Sequence, residues 1–359
     1  MTVRIAVVGV GFGTTVHVPA FQSEGLEVVA IAARRRERAE AAAAALNVPQ
    51  VFTDFDELLG IDGLDAVSIV TPPRLHHEMA IAALRAGKHV ICEKPFALNE
   101  QQAIEMVEEA DRSGVTAMVA HEFRYASGRM FVHQLLEDGY IGTPKYAHLR
   151  LFRGPTKASA LAEYRTERDS QEAGGGFLYS PASHYIDGLR HWFGEVESVV
   201  GNLIAIAPER VHDGKEMISD GDDTLSFTLN FASGVVAEMV GSKVTPFSEE
   251  SLIAIYGTGG TLVTPQVGFN PPAHGEVLGA RLGRETELTP IAIPSSYEPF
   301  IDDRDDRMMP FRLFVRDFLR GIETGTSPSP SFLDGLACQQ VLDALRRSSI
   351  EGRRIAIAQ

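Results

Sequence analysis

Ile5-Ala6-Val7-Val8-Gly9-Val10-Gly11-Phe12-Gly13-Thr14-Thr15 is a short β-branched apolar run that breaks into glycines and continues into a helix-compatible segment ending near Ser23. Strand, glycine turn and helix in that order predict a dinucleotide-binding unit. Glycines permit the tight turn and let the backbone approach a pyrophosphate, whose charge rests on the helix N-terminus. Gly9, Gly11, Phe12, Gly13 and Thr14 are therefore expected to hold a cofactor. The spacing departs from G-x-G-x-x-G: the sixth position is Thr14, and Gly13 comes one place early.

The next apolar run, Val28–Ala32, ends in Ala33-Arg34-Arg35-Arg36. A dinucleotide-binding unit that prefers NAD carries an Asp or Glu there, which accepts hydrogen bonds from the ribose 2′-hydroxyl. A carboxylate would repel a 2′-phosphate, whereas guanidinium groups attract it. Arg34 and Arg35 thus favour NADP, with NAD as the second option. Read only as the start of the alanine-rich helix 36–46, these arginines would sit unfavourably against its dipole.

The alternation then repeats. Helices are expected at 54–59, 75–86 and 99–112, with Gly87 closing the second and Asn99 and Gln102 capping the third. Strands are expected at 66–70, 89–92 and 115–120. Strand and helix in turn imply a parallel sheet covered on both faces. The strand at 89–92 ends abruptly in Glu93-Lys94-Pro95. Lys and Glu are seldom buried unless paired, and proline cannot continue a central strand. Lys94 is therefore a cation at the carboxyl end of a strand, where open α/β sheets bind ligands.

From Tyr125 the alternation stops. A helix is expected at 129–137, strands at 145–150, 198–205, 224–231, 235–240 and 252–256, and closing helices at 309–321 and 333–348. Ala232-Ser233-Gly234 is a hairpin turn, and 294–307 is a proline-flanked loop. The expected division is a Rossmann domain over 1–124 and an α+β domain over 125–359.

Acidic side chains outnumber basic ones 48 to 33, a net charge of −15 in 359 residues. That balance argues against nucleic acid, whose partners carry a basic footprint. No apolar run reaches the roughly 18 residues of a membrane span. Two cysteines, Cys92 and Cys338, cannot make a disulfide framework. The N-terminus lacks a signal-peptide layout, so a cytoplasmic setting is expected.

Ala83-Leu84-Arg85-Ala86-Gly87-Lys88-His89-Val90-Ile91-Cys92-Glu93-Lys94-Pro95 resembles the signature of the glucose–fructose oxidoreductase, inositol dehydrogenase and rhizopine-catabolism (Gfo/Idh/MocA) family. Thr71-Pro72-Pro73 with His76, Arg124-Tyr125, Ile255–Leu262 and Ser348–Arg354 agree with it, so the likeness spans the chain. The resemblance implies a Rossmann domain followed by an open, mostly antiparallel sheet domain that supplies the substrate pocket and oligomer contacts. It adds Thr71, Pro72, His76, Glu93 and Lys94 to the cofactor-binding set, with His76 and His77 opening a helix beside the nicotinamide end. Lys94, Arg124, Tyr179 and His184 become substrate-facing candidates.

The family pattern G-G-G-x-L-x-D-x-G-x-H-x-x-D falls on Gly174–Asp187. His184 and Asp187 match. Ser180 holds the aspartate position and Ala182 the second glycine position. The resemblance implies a catalytic group of Lys94, His184 and, in place of the aspartate, Ser180. Hydride transfer from an alcohol needs a base for the hydroxyl proton. Histidine, with an unperturbed pKa of about 6.5, serves in both directions, and an ammonium polarises the carbonyl oxygen.

The function so implied is an NADP-preferring oxidoreductase acting on a sugar, cyclitol or related hydroxyl or carbonyl compound. The open sheet face implies a homodimer or homotetramer. Ser180 motivates an alternative, a cofactor-binding sensor of the same fold with impaired catalysis. A hydrolase or lyase using tightly bound NAD is a third reading, against which Arg34 argues. Tyr125, Arg153, Tyr164 and Tyr185 are further pocket candidates. His184, Asp187 and His191 share one helical face, but the family chemistry needs no metal and none is expected. Asp220-Gly221-Asp222-Asp223 lacks a calcium loop's ligand series and is expected to be a turn.

Overall fold

The computed structural model describes residues 2–154, 162–163, 169–248, 250–272 and 274–357. The chain divides into two units, Met1–Tyr125 with Ile301–Gln339, and Ala126–Phe300 with Gln340–Gln359. The expected division put everything after 124 in one domain. The chain instead returns, because Phe311, Phe314 and Phe318 of helix Met308–Thr324 complete an apolar layer over the first sheet.

That sheet contains β1 (Arg4–Val8), β2 (Glu27–Ala32), β3 (Gln50–Phe52), β4 (Ala66–Ile69), β5 (His89–Cys92) and β6 (Ala117–Val119), in the order β3-β2-β1-β4-β5-β6. Every pairing is parallel. The strands read as unbroken apolar runs because both faces are covered. In β1, Ile5 and Val7 join the layer of Val16, Phe21, Ala39 and the three phenylalanines. Ala6 and Val8 join the opposite layer, with Leu58, Leu84, Met106 and Phe332. β3, a three-residue edge strand, is not signalled by its sequence. Asn99 Oδ1 accepts from Gln102 N–H at 3.0 Å, as expected of a cap, which is worth about 1 kcal/mol. The returning Gln102 carbonyl accepts from Leu98 N–H, one residue early. Strand order reverses at β1 and β4, and ligands bind outside such a reversal.

The second unit is built on a nine-stranded sheet. Its strands are β7 (Pro144–Phe152), β9 (Val196–Ile204), β12 (Thr224–Phe231), β13 (Val236–Ser242), β14 (Ser251–Gly257), β15 (Gly260–Gln266), β16 (Leu278–Arg281), β17 (Thr289–Pro290) and β18 (Ile355–Ala356). They run in the order β17-β16-β15-β14-β7-β13-β12-β9-β18. Only β7 and β13 pair in parallel, so the sheet is mostly antiparallel. β8 (Ala162–Glu163), β10 (Glu209–His212) and β11 (Lys215–Ile218) form a small separate sheet. The five strands expected here are present within two residues at each end. β10, β11, β15 and β16 were not expected. One face of the large sheet is apolar, with Ala147, Leu149, Leu225, Leu229 and Ala237 buried. Tyr146, His148, Asn202, Ser226 and Glu238 line an open depression of about 490 Å³.

Candidate active site

In the first unit, hydrogen bonds continue one step past the strands. Gly9 N–H donates to Ala32 O, Val70 N–H to Val8 O, Glu93 N–H to Ile69 O and Ala120 N–H to Cys92 O, all between 2.8 and 2.9 Å. The glycine turn, Thr71-Pro72, Glu93-Lys94 and His121-Glu122 therefore lie along one carboxyl edge. Gly9 has φ +124°, and a Cβ there would lie 2.2 Å from Val70 O. Only glycine fits. A Cβ on Gly13 would meet Val7 Cγ1 at 3.0 Å, so this glycine does the close helix–strand packing. Its early position coincides with one wide π turn, Gly13–His17, closed by Val18 N–H on Gly13 O. Gly11 has φ +151° and open space where a Cβ would stand. That is backbone exposed for the approach of a pyrophosphate, as a dinucleotide requires. The Thr14 hydroxyl donates to Gly11 O at 3.1 Å and braces the turn.

Glu93 is the centre of the edge. It is only 6% exposed. Its Oε1 lies 3.0 Å from His17 Nε2, and its Oε2 accepts from Lys94 N–H at 3.2 Å. His17 Nδ1 lies 2.8 Å from the Ser68 hydroxyl. Burial lowers the His17 pKa in spite of the carboxylate beside it, so the imidazole is neutral. Its Nε2–H donates to Glu93 Oε1, and its Nδ1 accepts from the Ser68 hydroxyl. Burial also works against charge on Glu93, but the His17 hydrogen bond and the Lys94 ammonium outweigh it and hold the carboxyl below its ordinary value. Lys94 thus starts from an anchored backbone, half-buried, at the end of β5. The Lys94–Pro95 peptide is cis.

His76 opens its helix as expected. Its ring nitrogens lie 2.8 Å from Thr71 O and 2.9 Å from Pro95 O, tying the loop after β4 to the loop after β5. Burial lowers its pKa, so one of the two carbonyls receives the proton. His77 pairs with Glu105 at 2.8 Å. Arg34 and Arg35 stand exposed past the end of β2, and among the described residues neither has an ion-pair partner.

Two of the expected substrate contacts are held by neighbouring side chains. Arg124 is buried, its guanidinium donating to Ser329 at 2.6 Å and paired with Asp334 at 3.0 Å. Tyr179 is fully buried, its hydroxyl donating to Asp343 at 2.9 Å and its ring lying 3.7 Å from the Arg346 guanidinium. Of the other pocket candidates, Tyr125 donates to Asp317 and Tyr185 is buried against Arg129, whereas Arg153 is exposed. Tyr164 lies outside the described residues.

In the second unit, the glycine segment is hung from Asp222. Phe177 N–H donates to Asp222 O and Leu178 N–H to Asp222 Oδ2, each at 2.8 Å. Gly176, at φ +105°, has room for no Cβ, since Asp222 Oδ1 would lie 2.2 Å away. A wide turn, Leu178–Ala182, then leads into helix Ser183–Phe193. Ser183 Oγ bonds back to the Tyr179 and Ser180 carbonyls. Ser180 is exposed, and His184, one helical turn later, is buried. Burial pushes the Asp222 carboxyl up to about 6 against the pull of Leu178 N–H and Lys243. The folded protein then holds a proton that the unfolded chain, with Asp near 3.9, has lost. Stability is expected to fall by roughly 2–3 kcal/mol as pH rises from about 4 to about 6, and Asp222→Asn to flatten that slope in thermal unfolding against pH.

The expected turn at 220–223 is built by its acids. Asp223 accepts from Ile206 N–H, Ala207 N–H and Thr224 Oγ1, and Asp220 from Gln171 N–H. His191 packs against His133, ring centres 4.2 Å apart and planes tilted at 49°. Among the described residues no three His, Cys, Asp or Glu side chains are grouped to hold a metal.

Sequence reading missed His17, Ser68, Glu122 and Arg307. Arg307 lies in the expected loop, paired with Asp305 at 2.7 Å and 4.5 Å over the Phe12 ring. Glu122 is 2% exposed. Burial and then the charge of Glu93 push it up to about 8, against the opposing pull of Lys94 and Arg307. Only His17, one turn after Gly13, carried a sequence signal.

Both units match known protein families. A model described as the oxidoreductase family, NAD-binding Rossmann fold, matches residues 3–121. One described as the oxidoreductase family, C-terminal alpha/beta domain, matches residues 133–357. The chain is similar to 1,5-anhydro-D-fructose reductase of Ensifer adhaerens, 33% identical over 70% of this chain and 72% of that one. It is similar to D-xylose 1-dehydrogenase (NADP(+)) 2 of Haloferax volcanii, 27% identical over 97% of each chain. A solved structure of levoglucosan dehydrogenase with NADH and L-sorbose shares the fold, with TM-score 0.89 and 24% identity over 100% of this chain and 99% of that one.

Proposed function

Because this chain belongs to the Gfo/Idh/MocA oxidoreductase family and is an NAD(P)-dependent oxidoreductase, we propose that it transfers hydride between NADP and a hydroxyl or carbonyl group of a sugar, cyclitol or related compound. The observation that carries the reading is Lys94, anchored through its own N–H to a buried carboxylate at the carboxyl end of β5. Two relatives named for sugars support the substrate class.

A bound nicotinamide dinucleotide supplies or accepts the hydride. This chain's residues do the rest. Gly11 and Gly13 keep the turn open to the pyrophosphate, and Lys94 holds positive charge where the substrate oxygen becomes alkoxide-like. His184 takes or returns the hydroxyl proton at an imidazole nitrogen. Ser180, in the aspartate position, contributes a neutral hydroxyl. The test is a panel of aldoses, polyols and matching carbonyls with either nucleotide. Stereospecific turnover of one class supports the reading. Tight cofactor binding with no turnover across the panel would replace it with the sensor reading.

The cofactor preference rests on Arg34 and Arg35, two exposed guanidiniums with no ion-pair partner among the described residues, where NAD binders place a carboxylate. NADPH is expected to bind at least about tenfold more tightly than NADH, and Arg34→Ala to remove most of that ratio, since a charge-assisted contact is worth about 1.5–3 kcal/mol. Fluorescence titration of both nucleotides reads it, and tighter NADH binding would reverse the assignment.

A homodimer or homotetramer through the polar face of the nine-stranded sheet completes the proposal, with light scattering as the measurement. The described residues contain no helix long and apolar enough to cross a membrane. Cys92 and Cys338, both buried and unbridged, support a reducing, cytoplasmic setting.

A further inference from the structure

Two cations stand side by side at one end of the nine-stranded sheet. β7 and β13, the parallel pair, stay in register to Phe152 and Ser242, and Arg153 N–H still donates to Ser242 O at 2.9 Å. Arg153 and Lys243 follow one residue later, on chains about 4.8 Å apart. Lys243 N–H donates to Asp223 O at 2.9 Å, so the row continues across β12. Side chains alternate along a strand, which sends Arg153 after Leu151 and Lys243 after Gly241, onto the apolar face.

That face carries the turn at 178–182. A Cβ on Gly241 would lie 2.6 Å from Phe177 Cε1, so the Phe177 ring rests on β13 two residues before Lys243. The Phe269 ring meets Phe177 edge-on, centres 4.9 Å apart. A Cβ on its neighbour Gly268 would lie 3.4 Å from Arg153 Cδ. Arg153 and Lys243 therefore flank Phe177, the residue from which the turn with Ser180 starts and leads to His184.

Among the described residues, neither the Arg153 guanidinium nor the Lys243 ammonium has a hydrogen bond or an ion pair. The acids nearest in charge to Lys243 are Asp169, Asp222 and Asp223, with Arg210 opposing them. Each acid is engaged elsewhere: Asp169 with Arg210 at 2.8 Å, Asp222 with Leu178 N–H, and Asp223 with two backbone N–H groups and Thr224. Lys243 is half-buried, and no protein acceptor replaces the water it has lost. Two residues on, the Thr245 hydroxyl is buried without a hydrogen-bond partner. Like charges opposite each other on neighbouring strands are destabilising, and an anion between them removes that cost.

We propose that Arg153 and Lys243 bind an oxyanion of the substrate, a carboxylate or a phosphate ester, away from the carbon that exchanges hydride. The compound oxidised or reduced is then an acidic sugar derivative. This rests on the reading of His184 as the residue that moves the hydroxyl proton. A guanidinium fork and an ammonium both suit such an oxyanion.

The test is calorimetry on the protein saturated with NADPH, using matched sets in the gluco, galacto and manno series: a neutral sugar, its uronate and its 6-phosphate. An anionic member is expected to bind at least about tenfold more tightly than its neutral counterpart, and the two anionic arms identify the oxyanion. The chain carries a net charge of −15, so its overall field repels anions and does not produce such a preference. In Arg153→Met and in Lys243→Met the ratio is expected to fall several-fold, and in the double variant to vanish, with neutral sugars bound as before. Arg153→Met, at an exposed position, keeps the test decisive if Lys243→Met misfolds. Neutral sugars that bind as tightly as their anionic counterparts, a panel in which no anionic member binds, or a preference that survives in Arg153→Met and in the double variant overturns the proposal. Turnover of neutral sugars alone overturns it too and leaves hydride transfer standing. Anion-selective binding with no turnover leaves the anion site standing and removes hydride transfer.

Discussion

Lys94→Ala is expected to lower kcat and kcat/KM together, by on the order of 10²–10³-fold, because it removes a charge that acts on an oxygen as it becomes negative. A group that only bound substrate would raise KM and spare kcat. Lys94 is placed for the first role. It emerges from a strand end whose backbone is tied to Glu93, and Glu93 is tied in turn to His17. Lys94→Arg keeps the charge but not the point geometry, and is expected to recover only part of the loss. Steady-state kinetics on the substrate found by panel screening decide the matter. Full turnover in Lys94→Ala would remove Lys94 from the chemistry.

Gly9→Ala and Gly11→Ala are expected to fail in opposite ways. At Gly9 a Cβ would lie 2.2 Å from a backbone carbonyl at a left-handed φ. Backbone on both sides cannot yield, so a loss above about 4 kcal/mol is expected, read as poor folding or a melting temperature lowered by roughly 10 °C. At Gly11 the added methyl meets nothing within 4 Å. Gly11→Ala carries only the strain of its positive φ, about 1–3 kcal/mol, and is expected to stay folded with a modestly lowered melting temperature and to lose cofactor affinity by about tenfold or more, since its methyl occupies the ground a pyrophosphate needs. Melting curves and NADPH titrations of the two variants together separate the roles. A well-folded Gly9→Ala, or a Gly11→Ala with undiminished affinity, would contradict them.

The first unit was legible wherever local chemistry and burial agree. β1, β4 and β5 are short apolar runs, too short for a buried helix, cut off by glycine, by Thr-Pro-Pro or by Glu-Lys-Pro. β3 was not legible, since three residues at a sheet edge bury too little to leave a pattern. β15 follows β14 by a two-residue turn, but its buried positions hold Gly260, Thr264 and Gln266 as well as Leu262, so no apolar alternation shows, and β16 is only four residues long. The site followed the same rule. Lys94 and the glycines announce themselves by type and position. The buried hydrogen bonds of Arg124 and Tyr179 were not legible, because an amphipathic side chain with a polar tip serves a pocket or a buried hydrogen bond equally well. Their partners, Asp334 and Asp343, lie more than 150 residues away. Glu122 and Arg307 meet only through the returning chain, and nothing local marks either.

That return also sets the order of events at the ribosome. The first 125 residues emerge with all six strands of their sheet, but the aromatic cover of one face, Phe311, Phe314 and Phe318, is made last. About 175 further residues must be added first, which takes on the order of ten to thirty seconds at cellular rates of synthesis. For that interval Phe21, Val16 and Met118 lack their natural lid while the second unit is being made. A nascent chain stalled just short of Met308 should therefore present a greasy sheet face to chaperones and proteases, and one stalled beyond Gln339 should not.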